Sequence, residues 1–371
     1  MHGGDIYSNE HPSGRNLIDF SSNSNPYGPP KGVKANLAMA LEHANKYPDI
    51  QYRLLKKEIQ KHNNLKKKNI VLGNGAGEIL DLAIRRVESL LILNPAYSEY
   101  EESTNRYDIE LFHSKYKHCN VASGPSFCQI YDVNVEDNRK LYQLEVDEEE
   151  FWSKFDIADA VVLAHPNNPD GSTFPVDKMQ EIINFTKENK KKLIIDETFF
   201  DYTHGQMSFT SFLEEDIDLI VIKAITKFYG LPGIRFGYGL CSNESIAEEI
   251  AKYQRPWNIN AFAENFAIVC FADKDYSKSM NSINKEEREW MTDELIKIKE
   301  IKRVYISQGN YILLMLQKIK AEELKRQLIG KGILIRNCDN YKNLGEYHMR
   351  VAVKKREDNI KLLTEMKNIL G

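Results

Sequence analysis

Residues 224–238 read AITKFYGLPGIRFGY and follow the apolar, β-branched run LIVI at residues 219–222. Such a run predicts a strand buried inside a parallel sheet. Lys227 therefore lies between the end of that strand and a turn rich in glycine and proline, where open α/β sheets bind ligands. A partly desolvated lysine there has a lowered pKa and can form a Schiff base with an aldehyde. Arg235, further along the same segment, supplies a fixed cation suited to a phosphate.

Lys227 and Arg235 together predict a lysine that binds pyridoxal 5′-phosphate (PLP) and an anchor for its phosphate. A surface lysine after a strand is the commoner fate of one lysine taken alone, so other segments must support this hypothesis. The segment GNGAGE at residues 73–78 lies between a strand-like run and a helical run. Its glycines let backbone N–H groups approach a phosphate at a helix N-terminus, although a glycine-rich turn is a weak signal by itself.

Two further segments each end a buried strand with a polar residue. In AVVLAHPNNPDG, residues 160–171, Asn168 precedes a proline that holds it extended, so its amide can point into a cleft. In KLIID, residues 192–196, Asp196 follows a buried strand, where an acid is costly without a cationic partner. The pyridinium nitrogen of PLP is such a partner.

With these four motifs in order, the chain resembles the fold-type I PLP-dependent enzymes of the class I/II aminotransferase superfamily over nearly its whole length. The resemblance implies an α/β fold with a large domain, built on a doubly wound and mostly parallel sheet, plus a smaller α+β C-terminal domain. It also implies PLP as cofactor and a homodimer with shared active sites.

The resemblance assigns roles to individual residues. Lys227, Asp196 and Tyr97 would be catalytic: Lys227 binds PLP covalently, Asp196 pairs with the pyridinium nitrogen, and Tyr97 stacks on the ring. Asn168 would contact the ring O3′. The implied ligands of the cofactor phosphate are Gly75, Ala76, Thr226, Arg235 and, from the neighbouring subunit, Tyr47. An aromatic residue packed before a proline explains Tyr47 equally well.

Two positions depart from the family pattern. Ala224 stands where a serine or threonine usually bonds the phosphate, so one hydrogen bond worth about 1 kcal/mol is lost. Phe199 stands where aminotransferases commonly have a tyrosine that bonds O3′. Asn168 is then left as the main O3′ donor.

Composition bounds the class of protein. The chain has 371 residues, 42% of them hydrophobic, a mean hydropathy of −0.50 and a net charge of −4, which argues against non-specific nucleic-acid binding. No window approaches the roughly 20 apolar residues of a membrane span. The five cysteines are scattered without a CxxC pair, so we expect reduced thiols, no structural metal and a cytoplasmic protein.

The chain is predicted to divide into three parts. Residues 1–35 form an extended arm, residues 36–258 a large PLP-binding domain of alternating strands and helices, and residues 259–371 a small domain that includes the arm. A long helical stretch is expected over residues 260–299, and strands at residues 311–316, 333–336 and 348–353. Residues 117–143 are polar and are expected to be irregular.

Further segments resemble one branch of the superfamily, the threonine-phosphate decarboxylases, with histidinol-phosphate aminotransferases as the nearest relatives. They include the opening HGGDIY at residues 2–7, IDFSSNSNP at residues 18–26, and two segments that end strands with an arginine. The substrate would be a small phosphorylated amino acid. The predicted substrate-binding residues are Arg336, Arg350, His2, Asn25 and Asn168. The opening segment and Phe199 favour the decarboxylases.

Three functions are compatible with the sequence. The first is decarboxylation of L-threonine O-3-phosphate to aminopropanol phosphate, a step of cobalamin biosynthesis. The alternative is transamination of histidinol phosphate or of another aminotransferase substrate, and a minor alternative is a PLP-binding protein without catalysis. Decarboxylation and transamination use the same binding site and differ in which Cα bond stands perpendicular to the cofactor ring.

Overall fold

The structure is a computed structural model, and it describes residues 3–9, 17–65, 69–121 and 140–371. The strands are β1 (Ile18–Asp19), β2 (Ile70–Gly73), β3 (Ser89–Asn94), β4 (Glu110–Asn120), β5 (Leu141–Val146), β6 (Ala160–Ala164), β7 (Lys192–Asp196), β8 (Asp218–Ala224), β9 (Gly237–Cys241), β10 (Ile301–Tyr305), β11 (Tyr311–Leu316), β12 (Ile333–Leu334), β13 (Arg336–Asn337) and β14 (His348–Ala352). The helices are α1 (Lys31–Ala35), α2 (Leu37–His43), α3 (Arg53–His62), α4 (Ala76–Ile84), α5 (Glu99–Tyr107), α6 (Glu148–Ile157), α7 (Val176–Glu188), α8 (Glu244–Ala251), α9 (Ala261–Ala272), α10 (Lys274–Ile296), α11 (Ala321–Ile329) and α12 (Arg356–Leu370).

A parallel run of strands in the order β4-β3-β6-β7-β8 is extended by β9 and β2, which pair antiparallel. Successive side chains of a strand point to opposite faces, so a strand covered on both faces is apolar throughout. Along β6, Val161 and Leu163 pack into one apolar cluster and Val162 into another on the opposite face. The predicted doubly wound, mostly parallel sheet is therefore confirmed.

Strand β4 joins this sheet to a second group of strands. Its first half pairs parallel with β3, and its second half pairs antiparallel with β5. Strand β5 in turn pairs with β10, and the order continues β10-β11-β14-β13 to give twelve strands in all. The prediction that residues 117–143 are irregular is wrong at both ends, because residues 117–120 belong to β4 and 141–143 to β5. Residues 122–139 lie outside the described part.

The C-terminal part also differs in detail from the prediction. Residues 260–299 form two helices rather than one, because the Asp273 side chain accepts the N–H of Tyr276 at 2.9 Å and starts α10 there. The predicted strand at residues 333–336 divides: β12 pairs with β1, whereas β13 pairs with β14. The boundaries at residues 258 and 259 stay a prediction.

The N-terminal arm packs onto the C-terminal strands. Phe20 is buried in the same apolar cluster as Ile312 and Met349. Its N–H donates to the Leu334 carbonyl at 2.7 Å, and its carbonyl accepts from Ala352 at 2.9 Å. The arm is not extended to its end, since α1 is helical. No helix in the described residues is long and apolar enough to cross a membrane.

One ion pair lies inside the large sheet. Lys223 of β8 donates to Glu197, directly after β7, at 2.9 Å, and both side chains are buried. Glu197 also accepts from the Ser208 hydroxyl at 2.7 Å and from the Phe209 N–H at 2.7 Å. The negative charge of Glu197 is therefore balanced by the Lys223 ammonium, and a buried charge without an oppositely charged partner costs several kcal/mol.

We expect Lys223→Met to lower the free energy of unfolding by about 3 kcal/mol or more, because it leaves Glu197 buried and unpaired. The matched control is Lys187→Met, which breaks the exposed Lys187–Glu215 pair and should cost at most about 1 kcal/mol. Urea denaturation followed by circular dichroism measures both. Equal effects of the two variants would contradict the importance of the buried pair.

Candidate active site

A cavity of about 310 Å³ opens where the carboxyl ends of β3, β6, β7 and β8 meet. This edge is where parallel sheets place their ligands. Most of the predicted site residues line it, although they come from segments far apart in the chain. They are Ala76, Tyr97, Asn168, Asp196, Thr226, Lys227, Arg235, Arg336 and Arg350.

Lys227 follows β8 on the short loop that begins at Ile225. Its side chain is partly buried, and its pKa is lowered to about 8. Burial is the largest cause, and the positive charges of Arg350, Arg235 and Lys354 add to it. A lysine acts as a nucleophile only when its amine is uncharged, so this environment makes the uncharged form accessible near neutral pH.

Asp196 is held by a tyrosine that no sequence motif singles out. The Tyr100 hydroxyl donates to Asp196 Oδ2 at 2.8 Å, and the Thr198 N–H donates to Oδ1 at 3.0 Å. Tyr100 is fully buried at the start of α5, edge-on to Tyr97 at 5.8 Å between ring centroids. The carboxylate therefore has a fixed orientation at the cavity floor.

Helix α4 presents its N-terminus to the cavity. Its N-cap residue, Gly75, has φ of 89° and offers no side-chain cap to the first N–H groups. A Cβ on Gly75 would displace the guanidinium of Arg235, and the positive φ would strain any other residue, so glycine suits this position. Ala76 and Gly77 line the cavity beside it. Backbone N–H groups, the helix dipole and Arg235 together make an anion site.

These residues fit PLP. An amine of lowered pKa, an oriented carboxylate and a cradle for a phosphate face one cavity, as the aldehyde, the ring nitrogen and the phosphate of that cofactor require. Lys227, Asp196 and the α4 N-terminus with Arg235 would hold it. Ala224 lines the cavity where a hydroxyl would otherwise lie, and Thr226 lines it nearby.

Arg336 and Arg350 form the opposite wall. They are direct partners in the antiparallel pairing of β13 with β14, so both side chains leave the sheet on the same face. Both are buried, at 9% and 5% exposure. The Arg336 guanidinium donates to Asn340 at 2.8 Å, whereas Arg350 contacts Asn168 Oδ1 and donates to the Ser21 carbonyl at 3.1 Å. Arg350 Nε is buried without a hydrogen-bond partner among the described residues.

A loop between β13 and β14 completes this wall. The Tyr341 hydroxyl donates to Asn168 Oδ1 at 3.2 Å, and the Arg336 guanidinium lies 5.5 Å from the Tyr341 ring centroid. Lys342 reaches across the cavity mouth to Glu101 of α5 at 2.9 Å. No sequence motif indicates Tyr341, because it lies in a turn without the strand or helix period that would mark it.

The N-terminal arm supplies one more wall, but not through the residue that was predicted. Gly3, Ser21, Ser22 and Asn23 line the cavity, and Asn23 Oδ1 is buried without a partner in the described part of the chain. Asn25 lies outside the cavity lining. Its amide donates to the Phe228 carbonyl at 2.8 Å and to the Tyr276 hydroxyl at 3.0 Å, so it anchors the arm to the loop that carries Lys227. His2 lies outside the described residues.

Tyr47 and Phe199 are the remaining residues of the predicted site. Tyr47 is 80% exposed, does not line the cavity, and packs against Trp257 at 4.6 Å between ring centroids. Phe199 lines the cavity and lies edge-on to Tyr311 at 5.0 Å. The single chain therefore brings together the predicted cofactor residues except Tyr47, which it leaves on the surface.

Comparison with known proteins agrees with this geometry. The family model for aminotransferase class I and II matches residues 15–365. A relative from Caldanaerobacter subterraneus subsp. tengcongensis, provisionally named threonine-phosphate decarboxylase, is 32% identical over 99% of this chain and 93% of its own. The threonine-phosphate decarboxylase of Salmonella typhimurium is 29% identical over 95% of this chain and 91% of its own.

A solved structure extends the comparison to the fold. The histidinol-phosphate aminotransferase from Clostridium acetobutylicum is 36% identical and has a TM-score of 0.85, covering 95% of this chain and 99% of its own. The similarity thus extends over nearly the whole of both chains. The chain belongs to the aminotransferase class I and II family of PLP-dependent enzymes.

Proposed function

We propose that this chain decarboxylates L-threonine O-3-phosphate. The observation that carries the proposal is the pair of buried arginines, Arg336 and Arg350, which face the same cavity as Lys227. Two guanidinium groups on adjacent strands suit a dianionic phosphate, because each can donate two parallel hydrogen bonds. The names of the two decarboxylase relatives, which align along nearly the whole chain, support this substrate.

The residue at position 199 supports decarboxylation over transamination, because aminotransferases of this family commonly have a tyrosine where this chain has Phe199. Phe199 and Ala224 line the cavity together with Ile222 and contribute no hydrogen-bond donor from their side chains. The substrate phosphate, held at a distance from the reacting carbon, would supply binding energy that orients the bond to be broken.

Each residue then has a task in the reaction. When bound, PLP supplies an electron-accepting ring conjugated to the substrate Cα. Asp196, oriented by Tyr100, would keep the ring nitrogen protonated. Lys227, whose pKa is lowered to about 8, would hold the cofactor and would deliver a proton to the substrate Cα.

A second candidate is transamination of histidinol phosphate. The observation that favours it is the similarity to the Clostridium acetobutylicum structure, 36% identical with a TM-score of 0.85. Its substrate also carries a phosphate, so the arginine pair suits both. The candidates differ in the bond that breaks at Cα, and hence in whether a keto acid is needed as amino acceptor.

We expect purified protein supplied with PLP to release carbon dioxide from L-threonine O-3-phosphate without any keto acid. The reason is that decarboxylation ends with reprotonation at Cα and needs no second substrate. A parallel assay offers histidinol phosphate with 2-oxoglutarate and measures glutamate. Glutamate formation in the second assay with no carbon dioxide in the first would reject the decarboxylase in favour of the second candidate.

Arg336→Gln should lower kcat/KM for threonine phosphate about 100-fold, since it removes a buried charged contact worth on the order of 3 kcal/mol. Unphosphorylated threonine, which lacks the group that Arg336 would bind, should react equally slowly with both forms. The matched control is Arg326→Gln on α11, whose side chain is exposed and pairs with Glu323. Equal losses on both substrates would place Arg336 outside phosphate recognition.

An exposed apolar patch leads us to infer a homodimer. The patch consists of Leu37, Leu41, Tyr47, Ile50 and Leu54, which follow one another over a short stretch of the chain. Trp257 extends the patch through its contact with Tyr47. So many large apolar side chains left exposed along one segment favour an interface. A second copy covering it would bring Tyr47 near the neighbouring active site.

Leu54→Asp should convert the dimer to monomer, because it places a charge within the apolar patch. Sedimentation velocity at assay concentration measures the change. Ile360→Asp is the matched control, since Ile360 is similarly exposed but lies on α12, away from the patch. A wild-type chain that sediments as a fully active monomer would refute the dimer.

A further inference from the structure

The arm segment at residues 21–23, one wall of the cavity, is held by a lysine that does not line the cavity. Lys354 follows β14, shortly after Arg350 in the chain. Its ammonium donates to the Ser22 carbonyl at 3.2 Å and to the Ser24 carbonyl at 3.3 Å. These carbonyls lie on either side of Asn23, so one cation fixes the backbone on both sides of that residue.

Asp19 holds the same segment by accepting hydrogen bonds from its N–H and hydroxyl groups. Asp19 Oδ1 accepts the Ser21 N–H at 2.8 Å, the Ser21 hydroxyl at 2.6 Å and the Ser22 N–H at 3.2 Å. The Asp19 carboxylate thus accepts from donor groups of the segment, whereas the Lys354 ammonium donates to its carbonyls. Burial lowers the pKa of Lys354, and the charge of Asp19 acts against that shift, so the two groups support one another.

The main chain of Lys354 is itself anchored, which fixes the direction of its side chain. Its N–H donates to Asn359 Oδ1 at 2.9 Å, and its carbonyl accepts from the Asn359 amide at 2.8 Å. Asn359 is fully buried and also donates to Glu287 of α10 at 3.0 Å. Together, α10, α12 and β14 therefore fix the position from which the Lys354 ammonium reaches the arm.

The segment that Lys354 holds makes contacts that matter to the cavity. The Ser21 carbonyl accepts from Arg350, and Asn310 donates to the Asn23 carbonyl at 2.8 Å. With its backbone held on both sides, Asn23 lines the cavity, and its buried Oδ1 has no partner among the described residues. A shift of the backbone would move both the amide and the oxygen that orients Arg350.

We propose that Lys354 is a positioning residue: it clamps the Ser22 and Ser24 carbonyls and thereby sets Asn23 and Arg350 for a phosphorylated substrate. The kinetic part of this inference rests on the proposed function, whereas the clamp itself does not.

The test uses the PLP-loaded protein and four variants. Lys354→Met keeps the length of the side chain and removes the charge, Lys354→Arg keeps the charge, and Asp19→Asn weakens the opposite contact. Lys361→Met, an exposed lysine on α12, is the control. We expect Lys354→Met to raise KM for threonine phosphate about tenfold with kcat changed less than about twofold, and Lys354→Arg to restore most of it.

A second readout does not depend on the substrate. Hydrogen–deuterium exchange of the free protein should increase at residues 20–25 in Lys354→Met and Asp19→Asn, and stay unchanged in β6 and β7. If both variants exchange as expected but wild type does not turn over threonine phosphate, the proposed function fails and the clamp stands. Unchanged exchange at residues 20–25 in both variants overturns the clamp. If Lys354→Met does not fold, Asp19→Asn and Lys354→Arg decide by the same measurements.

Discussion

The structure depends on lowering the pKa of one amine among several positive charges. Lys227 shares its surroundings with Arg350, Arg235 and Lys354, and these cations together with burial bring its pKa to about 8. Like charges in a partly dry cavity repel one another, so the fold must hold them there by other contacts. Anions that enter the cavity relieve this repulsion. Ligand binding and protonation of Lys227 are therefore linked, because a bound phosphate favours the charged amine.

The contacts that hold the cations come from separate parts of the chain. Arg350 is tied to Asn168 of the large sheet and to Ser21 of the arm, and Lys354 to Ser22 and Ser24. Strand β4 also joins the large sheet to the C-terminal strands through backbone hydrogen bonds, because it pairs with β3 and with β5. The arm therefore acts as a structural bridge rather than as a loose terminus.

Sequence reasoning was effective where a residue's setting is local. Lys227 and Asp196 each end a run of apolar residues, and the strand period alone places them at the same sheet edge. The sequence is less informative about a residue whose role depends on a partner far away in the chain. Asn23 and Asn25 stand in the same arm segment. The Asn25 amide donates to the Phe228 carbonyl and to the Tyr276 hydroxyl, whereas Asn23 lines the cavity. No pattern within the arm distinguishes them.

Tyr100 and Tyr341 are two residues of the site that no sequence motif indicates. Each places a hydroxyl on a predicted residue, Asp196 and Asn168 respectively, across long stretches of sequence. The tertiary fold creates these pairs, so the motifs alone could not reveal them. They matter because Tyr341 and Arg350, the arginine proposed to bind the substrate, both contact Asn168. A substrate phosphate that drew Arg350 toward itself would weaken the contact with Asn168, and would thereby couple substrate recognition to the residue expected at the cofactor ring.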